Sequence, residues 1–143
     1  LGSTSTTSAI TLAGFKTSGN GGSGLGELSL PCSMTVDHDG TLYVLDTNNY
    51  RVMKYLPDEP IGFPVAGAGV SGTSLDRIGT SYYITLDQLS NIYISEFGNH
   101  RITKWWAGNS TAGTLVCFSE RIFDKIRTNA SCRSVVMAVL EVN

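Results

Sequence analysis

The chain has 143 residues, of which 41% are hydrophobic and 15% are charged, and its formal net charge is -2. This length suits one small domain, and the composition argues against intrinsic disorder, in which apolar residues are scarce and charge is abundant. The lack of a basic excess removes the usual electrostatic basis for binding nucleic acid, and the longest apolar run, residues 135–140, is far shorter than the roughly 20 residues that a membrane-spanning helix needs.

A leader rich in Ser and Thr occupies residues 1–8 and has neither the charged nor the apolar stretch of a secretory signal. An apolar segment that runs into glycine follows at residues 10–14 and recurs at residues 63–67, with a weaker copy at residues 114–118. Each of these segments is predicted to be a strand. A Gly-rich linker follows the first two.

Alternating apolar residues between these segments predict two sets of three antiparallel strands. Asp39-Gly40 provides the first turn, because glycine readily adopts positive φ. The middle strands, 42–45 and 92–94, are apolar on both faces, which predicts that neighbouring structure covers each sheet from both sides. The predicted strands are 34–37, 42–46 and 51–56 in the first set and 82–87, 91–96 and 101–106 in the second.

An internal repeat relates the two sets of strands. A shift of 50 lays residues 36–55 over residues 86–105 without a gap, and five of the twenty pairs are identical. These pairs are Asp37/Asp87, Tyr43/Tyr93, Asn49/Asn99, Arg51/Arg101 and Lys54/Lys104. Four short antiparallel strands in a repeat of this length are the pattern of a β-propeller blade, whose sheet stacks on its neighbours.

The same polar motif follows a Tyr-containing strand in each copy. The two occurrences are Asp46-x-x-Asn49-x-Arg51-Val52-x-Lys54 and Glu96-x-x-Asn99-x-Arg101-Ile102-x-Lys104. With Leu30-Pro31 and Asp39-Gly40 before the first copy, this motif resembles that of the NHL-repeat β-propellers over residues 9–118. In the second copy, Leu89-Ser90 replaces the Asp-Gly turn, and Arg77-Ile78 stands where Leu30-Pro31 is expected.

The resemblance implies an all-β fold, namely a fragment of an NHL-type propeller with four-stranded antiparallel blades. The expected segments are the leader at 1–8, the last strand of a preceding blade with a Gly-rich linker at 9–30, a first blade at 31–67, a Gly/Ser linker at 68–80, a second blade at 81–118 and a divergent tail at 119–143. Further blades in the same chain, or self-association, are expected to close the propeller. Within the tail, residues 134–142 either open a further blade or belong to an altered terminus without a native role.

The motif residues are expected to shape the turns. A short Asp at a strand end can accept hydrogen bonds from the backbone of the following turn, and Asn tolerates left-handed geometry. Arg51 and Arg101 are expected to pair with Asp46 and Glu96 across the hairpin. Direct contact of these residues with a ligand is the alternative.

No catalytic, cofactor-binding or metal-binding residue is predicted, and no cofactor is expected. His38 and His100 lack a second His at metal-ligand spacing, and the three Cys form no Cys-x-x-Cys pair. No Ser lies in a Gly-x-Ser-x-Gly elbow, and no Gly-rich loop ends in Gly-Lys-Ser/Thr.

Asn109 and Asn129 begin acceptor patterns for N-glycosylation, which slightly favour an extracellular or lumenal setting and leave the compartment open. Three cysteines leave one unpaired in any intramolecular disulfide scheme. Burial as small apolar residues is one option for Cys32 and Cys117, and the disulfide state of both and of Cys132 is left open.

The expected function is a non-catalytic binding or scaffolding module that presents loops to a protein or another ligand. One alternative is part of a lyase- or lactonase-type propeller enzyme completed by further blades, with Asp37, Asp87, His38 or His100 as contributors. Another alternative is an RNA-binding NHL propeller with a basic face formed by Arg51, Lys54, Arg101 and Lys104. Neither a membrane span nor a nucleic-acid partner is expected.

Overall fold

The computed structural model describes residues 10–14 and 21–118. The described part is all-β, with eight strands in two four-stranded antiparallel sheets whose strands follow chain order. The first sheet contains β1 (Pro31–Val36), β2 (Leu42–Asp46), β3 (Arg51–Tyr55) and β4 (Phe63–Ala66). The second contains β5 (Tyr83–Leu86), β6 (Ile92–Glu96), β7 (Arg101–Trp106) and β8 (Asn109–Phe118). The prediction of an all-β fold with four-stranded antiparallel sheets is confirmed.

The central hairpins of the two sheets have the same register. Asp46 lies opposite Arg51 in the first sheet, and Glu96 lies opposite Arg101 in the second. A short 3-10 turn joins the strands in each case, at Thr47–Asn49 and Phe97–Asn99. The left-handed residue is the one that follows each turn, Tyr50 or His100, and not the Asn that was expected to adopt this conformation.

Two predicted strand starts differ from the structure by three residues or more. β1 begins at Pro31 instead of residue 34, and β8 begins at Asn109 instead of residue 114. The early start of β8 follows from a tight hairpin, in which Gly108 has φ +80° and Asn109 pairs with Trp106. Residues 10–14 form no strand, because no strand of the described ranges pairs with them. The predicted leader at 1–8 and tail at 119–143 lie outside the described residues.

The two sheets share one hydrophobic core. Its members are Tyr43, Leu45, Val52 and Ala66 from the first sheet, and Ile84, Ile92, Ile94 and Trp105 from the second, together with Ile78 of the linker. Trp105, Leu45 and Ile94 are fully buried. Because full burial of one large apolar side chain contributes roughly 1.5–3 kcal/mol, this shared core holds the sheets face to face.

The opposite face of the first sheet is covered as well. Val44, Met53 and Tyr55 form a second buried cluster there, against Ala13 and Leu28 from the segments that precede β1. The first sheet is therefore covered on both faces, which explains why its middle strand β2 is apolar on both.

The face of the second sheet that points away from the first is called the open face below. It carries Tyr83, Phe97 and Trp106, whose exposures are 57%, 66% and 50%. A shift of 50 relates Phe97 to Thr47, which is buried between the sheets. Within the described ranges, the open face thus exposes at Phe97 a position that is covered in the first sheet.

Polar contacts also link the sheets. The Thr47 hydroxyl donates to the carbonyl of Ser81 at 3.0 Å, and the backbone N–H of Ile84 donates to Ser33 Oγ at 3.2 Å. These bonds fix the relative position of the sheets, because buried donors and acceptors are costly to leave unpaired. No helix in the described part of the chain is long and apolar enough to cross a membrane.

Candidate functional site

The turns of each sheet lie at two opposite ends. At one end, the β2–β3 turn meets the linker that precedes β1, and the equivalent elements meet in the second sheet. We call this the clamp end. The turns between β1 and β2 and between β3 and β4 lie at the other end, which we call the cleft end.

A buried carboxylate organises the clamp end of the first sheet. Asp46 is fully buried and accepts hydrogen bonds from the Ser29 backbone N–H (2.6 Å), Asn49 Nδ2 (2.7 Å) and Arg51 Nε (2.8 Å). The sequence correctly suggested the pairing of Asp46 with Arg51 across the hairpin. The backbone donor, however, is Ser29 in the preceding linker, and not the following turn as expected.

The Arg51 guanidinium carries this network into the linker. Its Nη1 donates to the carbonyl of Ser23 at 2.8 Å, and its Nη2 donates to those of Gly24 (2.9 Å) and Glu27 (3.0 Å). Asn49 Nδ2 donates to the carbonyl of Gly22 at 2.7 Å. We call this arrangement of carboxylate, amide and guanidinium around linker carbonyls the carbonyl clamp. It supplies donors to a loop that has no regular secondary structure of its own.

The second sheet contains the same clamp, shifted by 50 residues in every partner. Asn99 Nδ2 donates to the carbonyl of Gly72 at 2.8 Å. The Arg101 guanidinium donates to the carbonyls of Thr73, Ser74 and Arg77, the last two at 3.2 and 2.9 Å. The repeat therefore includes the linkers as well as the strands.

Glu96 replaces Asp46 in the second clamp, and the surrounding residues differ accordingly. Its Oε2 accepts from the Gly79 N–H at 3.0 Å, and its Oε1 accepts from the Thr103 hydroxyl at 2.7 Å. Arg101 Nε lies 3.0 Å from Oε1 as an ion pair but is not directed into a hydrogen bond. Trp105 Nε1 completes this network by donating to Thr103 Oγ1 at 3.1 Å.

The first clamp has no counterpart of the threonine and tryptophan. A shift of 50 relates Thr103 to Met53 and Trp105 to Tyr55, whose buried hydroxyl finds no hydrogen-bond partner among the described residues. The longer Glu96 carboxylate reaches a hydroxyl that the first copy lacks. The two clamps therefore join the same elements through different internal hydrogen bonds.

The linker carbonyls were not predicted from the repeat as hydrogen-bond partners of the motif asparagines and arginines. The signal was present, because the shift of 50 also relates Gly22 to Gly72 and Leu25 to Leu75. The expected match of Arg77-Ile78 with Leu30-Pro31 is wrong. The N–H that binds the clamp carboxylate belongs to Ser29 in one copy and to Gly79 in the other, so the linkers align without a gap.

Asp37 and Asp87 serve as acceptors in the turns at the cleft end. Asp37 accepts from the N–H groups of Asp39 and Thr41, both at 3.0 Å, and from the Tyr43 hydroxyl at 3.3 Å. Burial alone would raise the pKa of Asp37, but these hydrogen bonds outweigh burial and lower it. Asp87 makes the equivalent bonds, and its pKa is lowered despite burial by bonds from Asn91 and Lys104.

The two motif lysines differ in their surroundings. Lys104 Nζ lies 3.2 Å from Asp87 Oδ2 and 4.2 Å from the centre of the Trp106 ring, on the open face. Burial would lower the pKa of Lys104, but its contacts with Tyr93 and Asp87 raise it. Lys54 Nζ lies 5.5 Å from the centre of the Tyr43 ring, and no carboxylate of the described residues forms an ion pair with it.

A cleft of about 520 Å³ opens between the sheets at the cleft end. Its wall includes Asp37, Tyr43, Lys54, Phe63, Ser90 and Trp106. Four of these residues belong to the first sheet or its turns, and Ser90 and Trp106 belong to the second. The cleft therefore exists only where two sheets are stacked.

The remaining candidate residues do not converge. His38 is exposed at the cleft end, 3.4 Å from Asp39, whereas His100 lies at the clamp end beside Phe97. Among the described residues, no group of three or more His, Cys, Asp or Glu side chains could hold a metal ion. Cys32 is an exposed free thiol, so the option of a buried Cys32 does not hold. It lies on β1, which pairs only with β2 in the part of the chain that the structure describes.

Several predicted positions lie outside the described part of the molecule. They are Asn129, Cys132 and the side chains of Asn109 and Cys117.

No model of a known protein family matches the chain, and a search of curated proteins also finds no match. The functional argument therefore rests on the repeat, the clamps and the cleft.

Proposed function

We propose that the chain is a segment of an NHL-type β-propeller that works as a non-catalytic binding module with a protein partner. The observation that carries this proposal is the carbonyl clamp, which recurs with a shift of 50 in each of its partners. A polar network that repeats in this way belongs to the architecture of the repeat. The motif residues therefore position loops and leave ligand contact to other side chains.

The stacking of the sheets supports the propeller. The second sheet packs on the first through Ile92, Ile94 and Trp105. A shift of 50 relates these to Leu42, Val44 and Tyr55, which lie on the far face of the first sheet. Successive sheets thus stack in one sense, with unlike faces in contact. Repetition of such a heterologous contact leads to a closed ring when the rotation closes.

The clamps also support a binding role for the loops. Arg51 and Arg101 side chains are only 9% and 5% exposed, because their donors are used on linker carbonyls. The linkers are thereby fixed before any partner arrives, which reduces the entropy lost on binding. The same burial keeps both arginines out of the basic face that the RNA-binding alternative requires.

The proposal is tested on the complete polypeptide that contains this chain. We expect a closed monomer in analytical ultracentrifugation, and capture of a defined protein by cross-linking and mass spectrometry. The R51M variant serves as a matched test, because loosening one linker should weaken capture while the buried tryptophan of the second sheet keeps its native fluorescence. An open or polymeric polypeptide, or turnover of a small lactone without protein capture, would overturn the proposal.

A further inference from the structure

A second concave site lies at the cleft end, on the side of the first sheet that points away from the second. Its volume is about 340 Å³, and it is lined by residues 10–12, by Gly40 and Leu42 of the first hairpin and by residues 55–60. Most of the last range belongs to the loop between β3 and β4. We call this site the loop groove.

The loop groove and the cleft between the sheets are two copies of one site. In each, an apolar segment that runs into glycine meets the turns of the sheet that follows it, with residues 10–12 in the loop groove and residues 63–65 in the cleft. A shift of 50 relates further lining positions of the groove, namely 40, 42 and 56–58, to positions 90, 92 and 106–108 of the cleft. A concave site that recurs in this way is built by the repeat itself.

The wall of the loop groove is apolar and accessible. Ile10, Leu12 and Leu56 all line it, and their exposures are 79%, 62% and 44%. A mostly apolar concave surface of this volume is the usual composition of a ligand-binding site. The wall is also held in place, because the backbone N–H of Gly62 donates to the carbonyl of Leu25 at 3.3 Å and ties the β3–β4 loop to the linker.

Two prolines keep the β3–β4 loop out of the sheet. Proline has no N–H to donate to a strand ladder, and Pro57 and Pro60 both lie in this loop. In the second sheet, the equivalent strands are joined by a tight hairpin at residues 107–108. The backbone N–H of Glu59 donates to the carbonyl three residues earlier at 3.1 Å, and Asp58 has φ +62°. This turn places two carboxylate residues at the rim of the loop groove.

The rim of the loop groove is acidic. Asp58 and Glu59 are exposed, and neither forms an ion pair with a Lys or Arg of the described residues. No Lys or Arg is present among the described residues that line the groove. The cleft differs, because Lys54 lies in its wall and a shift of 50 relates Asp58 and Glu59 to Gly108 and Asn109. Of the two copies of the site, the loop groove is therefore the one that favours a positively charged partner.

We propose that the loop groove binds a partner segment in which lysine or arginine flanks an apolar side chain. The apolar side chain packs against Leu12 and Leu56, and the basic residues pair with Asp58 and Glu59. This proposal rests on the proposed function, because it names the chemistry of the protein segment that the binding module takes. Charge complementarity selects this partner, since the two carboxylates repel an acidic segment.

Backbone amide signals provide the measurement. The ¹⁵N-labelled full chain is titrated with the peptide N-acetyl-Lys-Leu-Lys amide and followed by NMR. We expect saturable movement of the Gly40 and Glu59 signals, which report on the loop groove, and fixed signals for Gly108 in the cleft and for Gly69, which lines neither site. The neutral peptide N-acetyl-Gln-Leu-Gln amide should bind about fivefold more weakly, because each exposed ion pair contributes little. N-acetyl-Lys-Ala-Lys amide, which keeps the charges and loses most of the apolar side chain, should bind about tenfold more weakly.

Variants separate the rim carboxylates from a general charge effect. The double variant D58N/E59Q should weaken binding of the lysine peptide about fivefold and leave binding of the glutamine peptide unchanged. Asparagine also tolerates the left-handed conformation of residue 58. The matched control D76K changes the charge by the same two units at the clamp end and should keep both affinities within about twofold, because distant exposed charges are screened. L12S should weaken both peptides alike, by about threefold.

Three outcomes would overturn the proposal. They are Gly40 and Glu59 signals that move no more than those of Gly108 and Gly69, equal affinities for the lysine and glutamine peptides, and an effect of D58N/E59Q no larger than that of D76K. Failure here is distinguishable from failure of the proposed function. If the complete polypeptide still captures a protein and D58N/E59Q does not alter that capture, the binding module stands and only the assignment of the loop groove is wrong.

Discussion

Replacing Arg51 with methionine should lower the free energy of unfolding by about 3–5 kcal/mol, the usual cost of removing one partner from a buried ion pair. Asp46 is fully buried and would keep only the Ser29 and Asn49 donors. Methionine preserves the apolar stem of the arginine, so the loss reports the charge and its hydrogen bonds. The part-buried linker carbonyls can bind water instead and should add little.

The measurement is urea unfolding of the full chain, followed by the fluorescence of its tryptophans, of which Trp105 is fully buried. A double-mutant cycle with D46N tests whether the two residues act as a pair. Because the D46N substitution removes the charge that R51M leaves unpaired, the double variant should be about 2 kcal/mol more stable than the sum of the single losses predicts. Hydrogen exchange should report faster opening of residues 22–29 in R51M.

K54M is the control for this cycle. Lys54 is half-buried and has no ion pair with a described carboxylate, so its replacement should cost less than about 1 kcal/mol. An R51M loss as small as that of K54M would refute the reasoning. Strict additivity of D46N and R51M would do so as well, since it would mean that the buried pair is not an energetic unit.

The remaining predictions concern a close contact, a titration and an inter-sheet bond. G67A should cost at least about 2 kcal/mol more than G69A in thermal unfolding, because both glycines have positive φ but only at Gly67 would a Cβ lie 2.3 Å from a backbone oxygen; equal losses would contradict the contact. The lowered pKa of Asp87 means that the unfolded state binds more protons near pH 4, so stability falls as pH drops through that range, and D87N should show a shallower fall between pH 5 and pH 3. T47V removes the bond to the Ser81 carbonyl and should cost about 1–2 kcal/mol in urea unfolding, whereas an unchanged midpoint would show that this bond contributes nothing.

Much of the fold could be predicted because it depends on short-range patterns. The apolar residues within 42–46 and 92–96 predict the middle strands to within a residue, and Asp39-Gly40 predicts the turn between β1 and β2. The strand predicted at 10–14 did not form, because a strand needs a neighbour and the described ranges contain none for it. Local pattern alone cannot supply a pairing partner.

The candidate sites were less predictable. Pairing of Asp46 with Arg51 follows from the hairpin register, but the acceptance of a bond from Ser29 depends on how the linker folds back over the turn. The cleft was invisible in the sequence, because Lys54 and Ser90 come from different sheets and line one cleft only after stacking. Comparison of the two copies shows the effect of stacking, because the same face of the repeat is covered in the first sheet and exposed in the second.

The carbonyl clamp also determines where the unit that a gene duplication must copy begins. Each arginine reaches back 24 to 28 residues, into the linker that precedes its own sheet. A gene duplication with its breakpoint between residues 67 and 71 would copy the second clamp whole. A breakpoint between residues 80 and 82 would keep the four strands of each sheet together but separate Arg101 from the linker carbonyls that it binds. The unit that can be duplicated or transplanted intact therefore begins in the linker, and its limits do not coincide with those of one four-stranded sheet.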